Sequence, residues 1–299
     1  DAAELVGVLT EPGGGASGGD RPAVVLLNSG ILHRVGASRL HVQIARSLAE
    51  VGFSTLRFDF SGIGDSQVRR DDLSFEESAR AETRSAMDYM AGTTGSDEIV
   101  LGGLCSGADV AFRVATEDAR VVGLAQLDAW PYRTWKSLWK HYAPRLLDLD
   151  QWVHSIRVRL QELKSRIAPR GGNGNSSADE YITPEYRRQF PPKSEVRSGL
   201  ELLTDRGVHL YYFFSGNYGK DYNYTEQYRE AFSTIDFGGR LTVNYDPESD
   251  HIVTGLKHQR FVVDAIRRWA DRSCTPAHVE KPSQVKADEK REPTVEGAA

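Results

Sequence analysis

Cysteine is scarce in this sequence, long apolar runs are missing, and basic residues do not outnumber acidic ones. Cys105 and Cys274 are its only two cysteines, and they lie far apart. Their number excludes both a disulfide framework and a four-ligand zinc site, so a cysteine here can act only singly. Lys and Arg total 37 against 42 Asp and Glu, a formal net charge of −5, which leaves no basic face to neutralise a nucleic-acid backbone. No stretch approaches the roughly 18 consecutive apolar residues that a membrane span requires. The opening Asp1-Ala2-Ala3-Glu4 has neither the basic nor the apolar region of a signal peptide. These absences lead us to expect a soluble, cytoplasmic protein with no membrane span and no nucleic-acid partner.

What is present is an alternation of short apolar runs with helical patterns. Residues 22 to 28 read as a buried parallel strand, followed by helical spacing at Leu40, Ile44, Leu48 and Val51, with Gly52 as a stop. The rhythm repeats with strands at Phe53 to Phe60, Glu98 to Gly102 and Val121 to Leu127, and helices at about 74 to 91 and 106 to 117. It resumes with strands at Val208 to Phe214 and Arg240 to Tyr245 and a closing helix at 256 to 271. Leu5 to Leu9 adds an N-terminal strand, joined to the core by the Gly-rich segment 13 to 19. The pattern predicts an α/β fold, a mostly parallel sheet with helices on both faces.

Between these parts the rhythm breaks. Four of the five tryptophans (Trp130, Trp135, Trp139, Trp152) open a stretch that continues with a basic amphipathic helix, Val153 to Ile167, and a Gly/Asn/Ser-rich loop, 171 to 177. We therefore expect a core from 1–130 and 205–273, a helical cap or lid insertion at 131–204, and a disordered tail at 274–299, where Pro, Lys and Glu leave almost nothing apolar to bury.

Chemistry concentrates at Gly103-Leu104-Cys105-Ser106-Gly107, where an apolar strand runs straight into a helix. This is the setting of a G-x-S-x-G nucleophile elbow with cysteine in the central position. The central residue alone projects from the top of so tight a turn, which makes Cys105 the candidate nucleophile. Ser106 is left to supply a backbone N–H to an oxyanion hole at the helix N-terminus. The literal match at Gly15 to Gly19 has no flanking strand or helix and is a coincidence of composition.

In this topology the base follows the last strand, and among eight histidines His251 alone sits there, after Asp250 and before the closing helix. Two residues compete to be the acid. Asp221 lies in the loop after the penultimate strand, the usual place, whereas Asp128 ends a strand at the carboxyl edge of the sheet. The second oxyanion donor is expected at Ile31, in the loop Asn28-Ser29-Gly30-Ile31. Arg34 and Arg39 follow as candidate partners for an acidic substrate group, and His141 and Trp130 as candidate substrate contacts beneath the insertion. Asp59 and Asp65, in the glycine-dense turn Arg57 to Ser66, are expected to brace that turn.

The elbow, the Arg57 to Ser66 turn and Asp250-His251 together resemble the α/β-hydrolase superfamily. His33-Arg34-Val35-Gly36-Ala37-Ser38-Arg39, the cysteine elbow and the aromatic stretch around Lys140-His141-Tyr142 are similar, more narrowly, to the exosortase A system-associated hydrolases over about 5 to 272. That resemblance implies an enzyme that cleaves or transfers an acyl group. Its substrate would be a small or carrier-linked ester or thioester, with water or an amine or hydroxyl acceptor completing the reaction, and no cofactor or metal takes part. A lyase-like use of the thiol and a catalytically silent binding module are the competing readings.

Overall fold

The computed structural model describes residues 3–13, 21–146, 188 and 190–275. In chain order its elements are β1 (Gly7–Thr10), β2 (Ala23–Leu27), α1 (Leu40–Ala49), β3 (Thr55–Phe58), α2 (Phe75–Thr94), β4 (Ile99–Leu104), α3 (Ser106–Glu117) and β5 (Val121–Leu127). They continue with α4 (Trp135–Leu146), α5 (Lys193–Asp205), β6 (His209–Ser215), α6 (Gln227–Ala231), β7 (Leu241–Asp246) and α7 (Leu256–Ser273). The strands form one sheet in the order β1-β3-β2-β4-β5-β6-β7, in which β1 alone runs antiparallel.

The continuous apolar runs are explained by burial on two faces. Val24, Leu26, Tyr211 and Phe213 point into a layer covered by α1 and α7, while Val25, Leu27, Tyr212 and Phe214 point into a layer covered by α2, α3 and α5. Local chemistry sets the helix ends. Gly52, at a φ of 91°, turns the chain out of α1 as expected, and Ser74 and Glu77 form a reciprocal capping box that starts α2.

Register then places the site. Leu104 pairs with Leu127 across β4 and β5, and Leu127 with Phe213 across β5 and β6, so the residues that follow leave the sheet side by side at its carboxyl edge. Two glycines make the close approach possible. A Cβ on Gly103 would lie 2.4 Å from the Gly107 carbonyl carbon, and one on Gly107 would lie 2.4 Å from the Asn28 carbonyl oxygen. Because both obstacles are backbone, Gly107→Ala must push α3 away from the end of β2. We expect a loss of about 1–3 kcal/mol, read from urea unfolding.

The expected helix at Val153 to Ile167 and the loop 171 to 177 lie outside the described residues, as does the tail beyond 275. Cys274 requires a correction. It caps α7 and is buried against Gly123 and Trp269 rather than opening an unfolded tail, because α7 runs two residues further than the apolar spacing implied.

His41 on α1 is also buried, packed against Gly36. Burial, followed by the nearby Arg57 charge, lowers its pKa to about 4. The unfolded chain therefore takes up a proton below pH 6.5 that the native chain refuses, and stability falls as pH drops from about 6.5 toward 4. The loss reaches about 3 kcal/mol. In His41→Leu, urea midpoints at pH 7 and pH 4.5 should differ less than in the wild type; an equal difference would show that His41 does not drive the acid lability.

Candidate active site

Cys105 sits where β4 ends and α3 begins, with φ 56° and ψ −118°, a conformation rare for a side-chain-bearing residue. The turn is held from both sides: Cys105 N–H donates to the Leu127 carbonyl (2.9 Å), and the Cys105 carbonyl accepts from Asp109 N–H (3.1 Å). The thiol is partly exposed.

Asp128 leaves the neighbouring strand and is also at positive φ, 46°. Its carboxylate is fully buried, and no water is needed to satisfy it. Oδ1 accepts from Ser215 N–H (2.7 Å), while Oδ2 accepts from Ser215 Oγ (2.7 Å) and lies 2.7 Å from His251 Nδ1. His251 stands on the turn after β7, where Asp250 accepts hydrogen bonds from the N–H groups of Ile252 and Thr254. With Nδ1 engaged, the other ring nitrogen is left for the thiol. Hydrogen bonding to Asp128, and then to Cys105, raises the imidazole pKa to about 10, against the cost of its burial.

The two candidate acids therefore separate. Asp128 contacts His251, while Asp221 is ion-paired with Arg133 and its backbone N–H closes a turn onto the Tyr218 carbonyl. The chain turns away from the sheet edge through Gly216–Tyr218 before it reaches Asp221, so of the two candidates it is Asp128 that meets His251.

Ser106 and Ile31 lie on the two turns that face each other across the elbow. Ser106 Oγ accepts from Gly30 N–H (2.7 Å), and Leu32 N–H donates to the Ser29 carbonyl (3.0 Å), so Ile31 lies between two backbone N–H groups that are already engaged. Ile31 itself is 92% exposed. Asn28 shapes this turn by donating to the Leu32 carbonyl (2.7 Å) and accepting from Phe60 N–H (2.9 Å).

Arg34 does not present a free fork to a substrate. Its guanidinium is paired with Asp59 and with Asp65 (2.6 Å), and Asp59, fully buried, also accepts from Asn28 and from the N–H groups of Arg34 and Asp65. Burial opposes ionisation of Asp59, but the N–H groups of Asp65 and Arg34, then Asn28 and the Arg34 guanidinium, hold its carboxyl below the usual range. Asp59 thus braces the Ser29–Arg34 turn as well as its own. Arg39 is exposed at the start of α1.

Trp130 is 4% exposed and stacks edge-on against Phe112, so it belongs to the wall under α3 and offers no open face for substrate. His141 lies on α4, edge-on to Tyr142. Trp135 and Trp139 on the same helix are exposed.

Sequence reading missed Ser215, Tyr218, Asp109 and Arg188. Tyr218 OH donates to the Asp128 carbonyl (2.8 Å), and Arg188, far along the chain, packs beneath the elbow. Ser215 and Tyr218 had the signal of lying at the end of a late strand and just after it, whereas Arg188 has none in its local sequence.

No family model and no curated protein matches the chain. Solved structures do. Est1E from Butyrivibrio proteoclasticus, determined with ferulic acid bound, aligns with a TM-score of 0.56 at 16% identity, covering 91% of this chain and 96% of that one. Alpha/beta hydrolase domain-containing protein 10 from mouse gives 0.52 at 15% identity, covering 90% and 94%. An esterase from Pyrococcus furiosus gives 0.51 at 15% identity, covering 91% and 86%. At such identities the likeness is one of fold, and the chain has the α/β-hydrolase fold anticipated from its sequence. Among the described residues, no helix is long and apolar enough to cross a membrane.

Proposed function

We propose that the chain is an acyl hydrolase that cleaves an ester or thioester through an acyl-enzyme on Cys105. The observation that carries this reading is the placement of His251 between the buried Asp128 carboxylate and the thiol of a strained elbow cysteine.

With its pKa near 10, His251 holds a proton at neutral pH and stands ready to donate it. The form of the pair that reacts is thiolate and imidazolium. The thiolate attacks the substrate carbonyl, and the N–H groups of Ser106 and Ile31 receive the developing oxyanion. Collapse expels the alcohol or thiol, which takes the His251 proton. Water, deprotonated by the now neutral imidazole, then attacks the thioester and releases the acid and the thiolate. An amide is a poor substrate by the same chemistry, since a thiolate leaves its tetrahedral adduct more readily than an amine does. The narrower resemblance at His33 to Arg39 supports placing the chain with the exosortase A system-associated hydrolases.

Intact-mass spectrometry after exposure to an activated acyl ester tests the reading. One acyl group should add to the wild type at Cys105, and Cys274 should stay unmodified, because burial, then the Glu98 charge, pushes its thiol up to about 12. Absence of an adduct, or an adduct on Cys274, would overturn the covalent mechanism. Product that depends on an added amine or alcohol would reassign the second half-reaction to acyl transfer.

A further inference from the structure

The Arg188 side chain is only 13% exposed, and every donor it owns is in use. Nε and Nη2 donate to the two oxygens of Asp109 (2.6 and 2.5 Å), Nη1 donates to the Asp128 carbonyl (3.1 Å) and to Tyr218 OH (3.0 Å), and Nη2 also donates to the Cys105 carbonyl (3.3 Å). A guanidinium has five N–H groups in a fixed plane, and five acceptors meet them.

The choice of acceptors gives the arrangement its meaning. Two of them are the main-chain carbonyls of Cys105 and Asp128, the proposed nucleophile and the proposed acid, both of which stand at positive φ. Strained conformations of this kind persist only where the surroundings over-determine them. Each carbonyl has a second donor, Asp109 N–H for Cys105 and Tyr218 OH for Asp128, but among the described residues only Arg188 reaches both. Asp109 balances the charge of the guanidinium and fixes its plane from the first turn of α3.

We infer that Arg188 is a positioning residue that clamps the Cys105 and Asp128 backbones into one geometry, so that the thiol and the His251–Asp128 pair stay aligned. This inference rests on the proposed roles of Cys105 and Asp128. Lysine keeps the charge, but as a point charge with three donors it cannot span two carbonyls and a bidentate carboxylate.

The test compares wild type, Arg188→Lys and Arg188→Gly in ester turnover and in the rate of Cys105 alkylation by iodoacetamide at pH 7. Arg188→Lys should lower kcat about 10²-fold with KM within threefold, the scale on which small misplacements of reacting groups cost rate. Alkylation should slow by at least tenfold. Millimolar guanidinium, but not ammonium, should restore part of the loss in Arg188→Gly. Full activity and unchanged alkylation in Arg188→Lys, or equal rescue by both cations, would overturn the clamp.

If the arginine variants fail to fold by circular dichroism, Tyr218→Phe tests the same clamp on its Asp128 arm. It should lower kcat several-fold at constant KM, and no change in kcat would count against the proposal. The alkylation readout needs no substrate. A wild type with no esterase turnover but an Arg188-dependent thiol therefore separates failure of the proposed activity from failure of the clamp.

Discussion

Cys105→Ala is expected to lower turnover by about 10⁴- to 10⁶-fold and to abolish the acyl adduct, leaving only what the oxyanion donors and substrate binding provide. The size of the effect follows from the division of labour in the site. His251, Asp128 and the elbow backbone serve one atom, the Cys105 sulfur, and without it they have nothing to activate. Cys105→Ser separates a chemical role from a packing one, since the side chain is nearly isosteric. A thiolate can attack beside an imidazolium, whereas a hydroxyl is far less acidic and needs the imidazole as general base during the attack itself. Serine should therefore leave activity at least about 10²-fold below wild type. Steady-state kinetics on an activated ester measures both variants. Alanine activity within tenfold of wild type would remove Cys105 from the mechanism.

Asp128→Asn is expected to cost about 10³- to 10⁴-fold in kcat, and Asp221→Asn no more than about twofold. An amide at position 128 can still accept from Ser215 N–H through its oxygen, but its NH₂ then faces Ser215 Oγ and His251 Nδ1. That removes the carboxylate that orients the imidazole and holds its proton. The His251 pKa should fall from about 10 toward its ordinary 6.5, so that between these values the ring is charged in the wild type and neutral in the variant. A ring-proton NMR titration reads this directly, and it distinguishes loss of the orienting charge from simple misfolding. Asp221 sits in an ion pair with Arg133, where each side chain is at least one-third exposed, so its neutralisation should change little. Equal losses in the two variants would contradict the assignment of the acid to Asp128.

Much of the fold was legible because its signals are local. Strands covered on both faces appear as unbroken apolar runs, as at Ala23–Leu27, and helical spacing at Leu40, Ile44 and Leu48 marks α1. Cys274 was misjudged because one buried small residue at the end of α7 carries no periodicity of its own, and the partner that buries it, Gly123, lies about 150 residues away. Arg34 was misjudged for a related reason. A basic residue beside a site reads as a substrate anchor until the fold brings Asp59 and Asp65 against it.

The sequence alone determined that an apolar strand, a cysteine between glycines and a helix follow one another, and that a histidine lies past the last strand. These features depend on spacing and steric fit within a few residues. The tertiary structure decided which aspartate meets that histidine, where the arginine beside the site spends its charge, and that Arg188 joins the backbones of residues 105 and 128. Those outcomes depend on strand order, with β5 lying between β4 and β6, and on hydrogen bonds that close loops of 60 residues or more. No local pattern encodes such pairings, because their free energy is realised only when the sheet brings its carboxyl ends together.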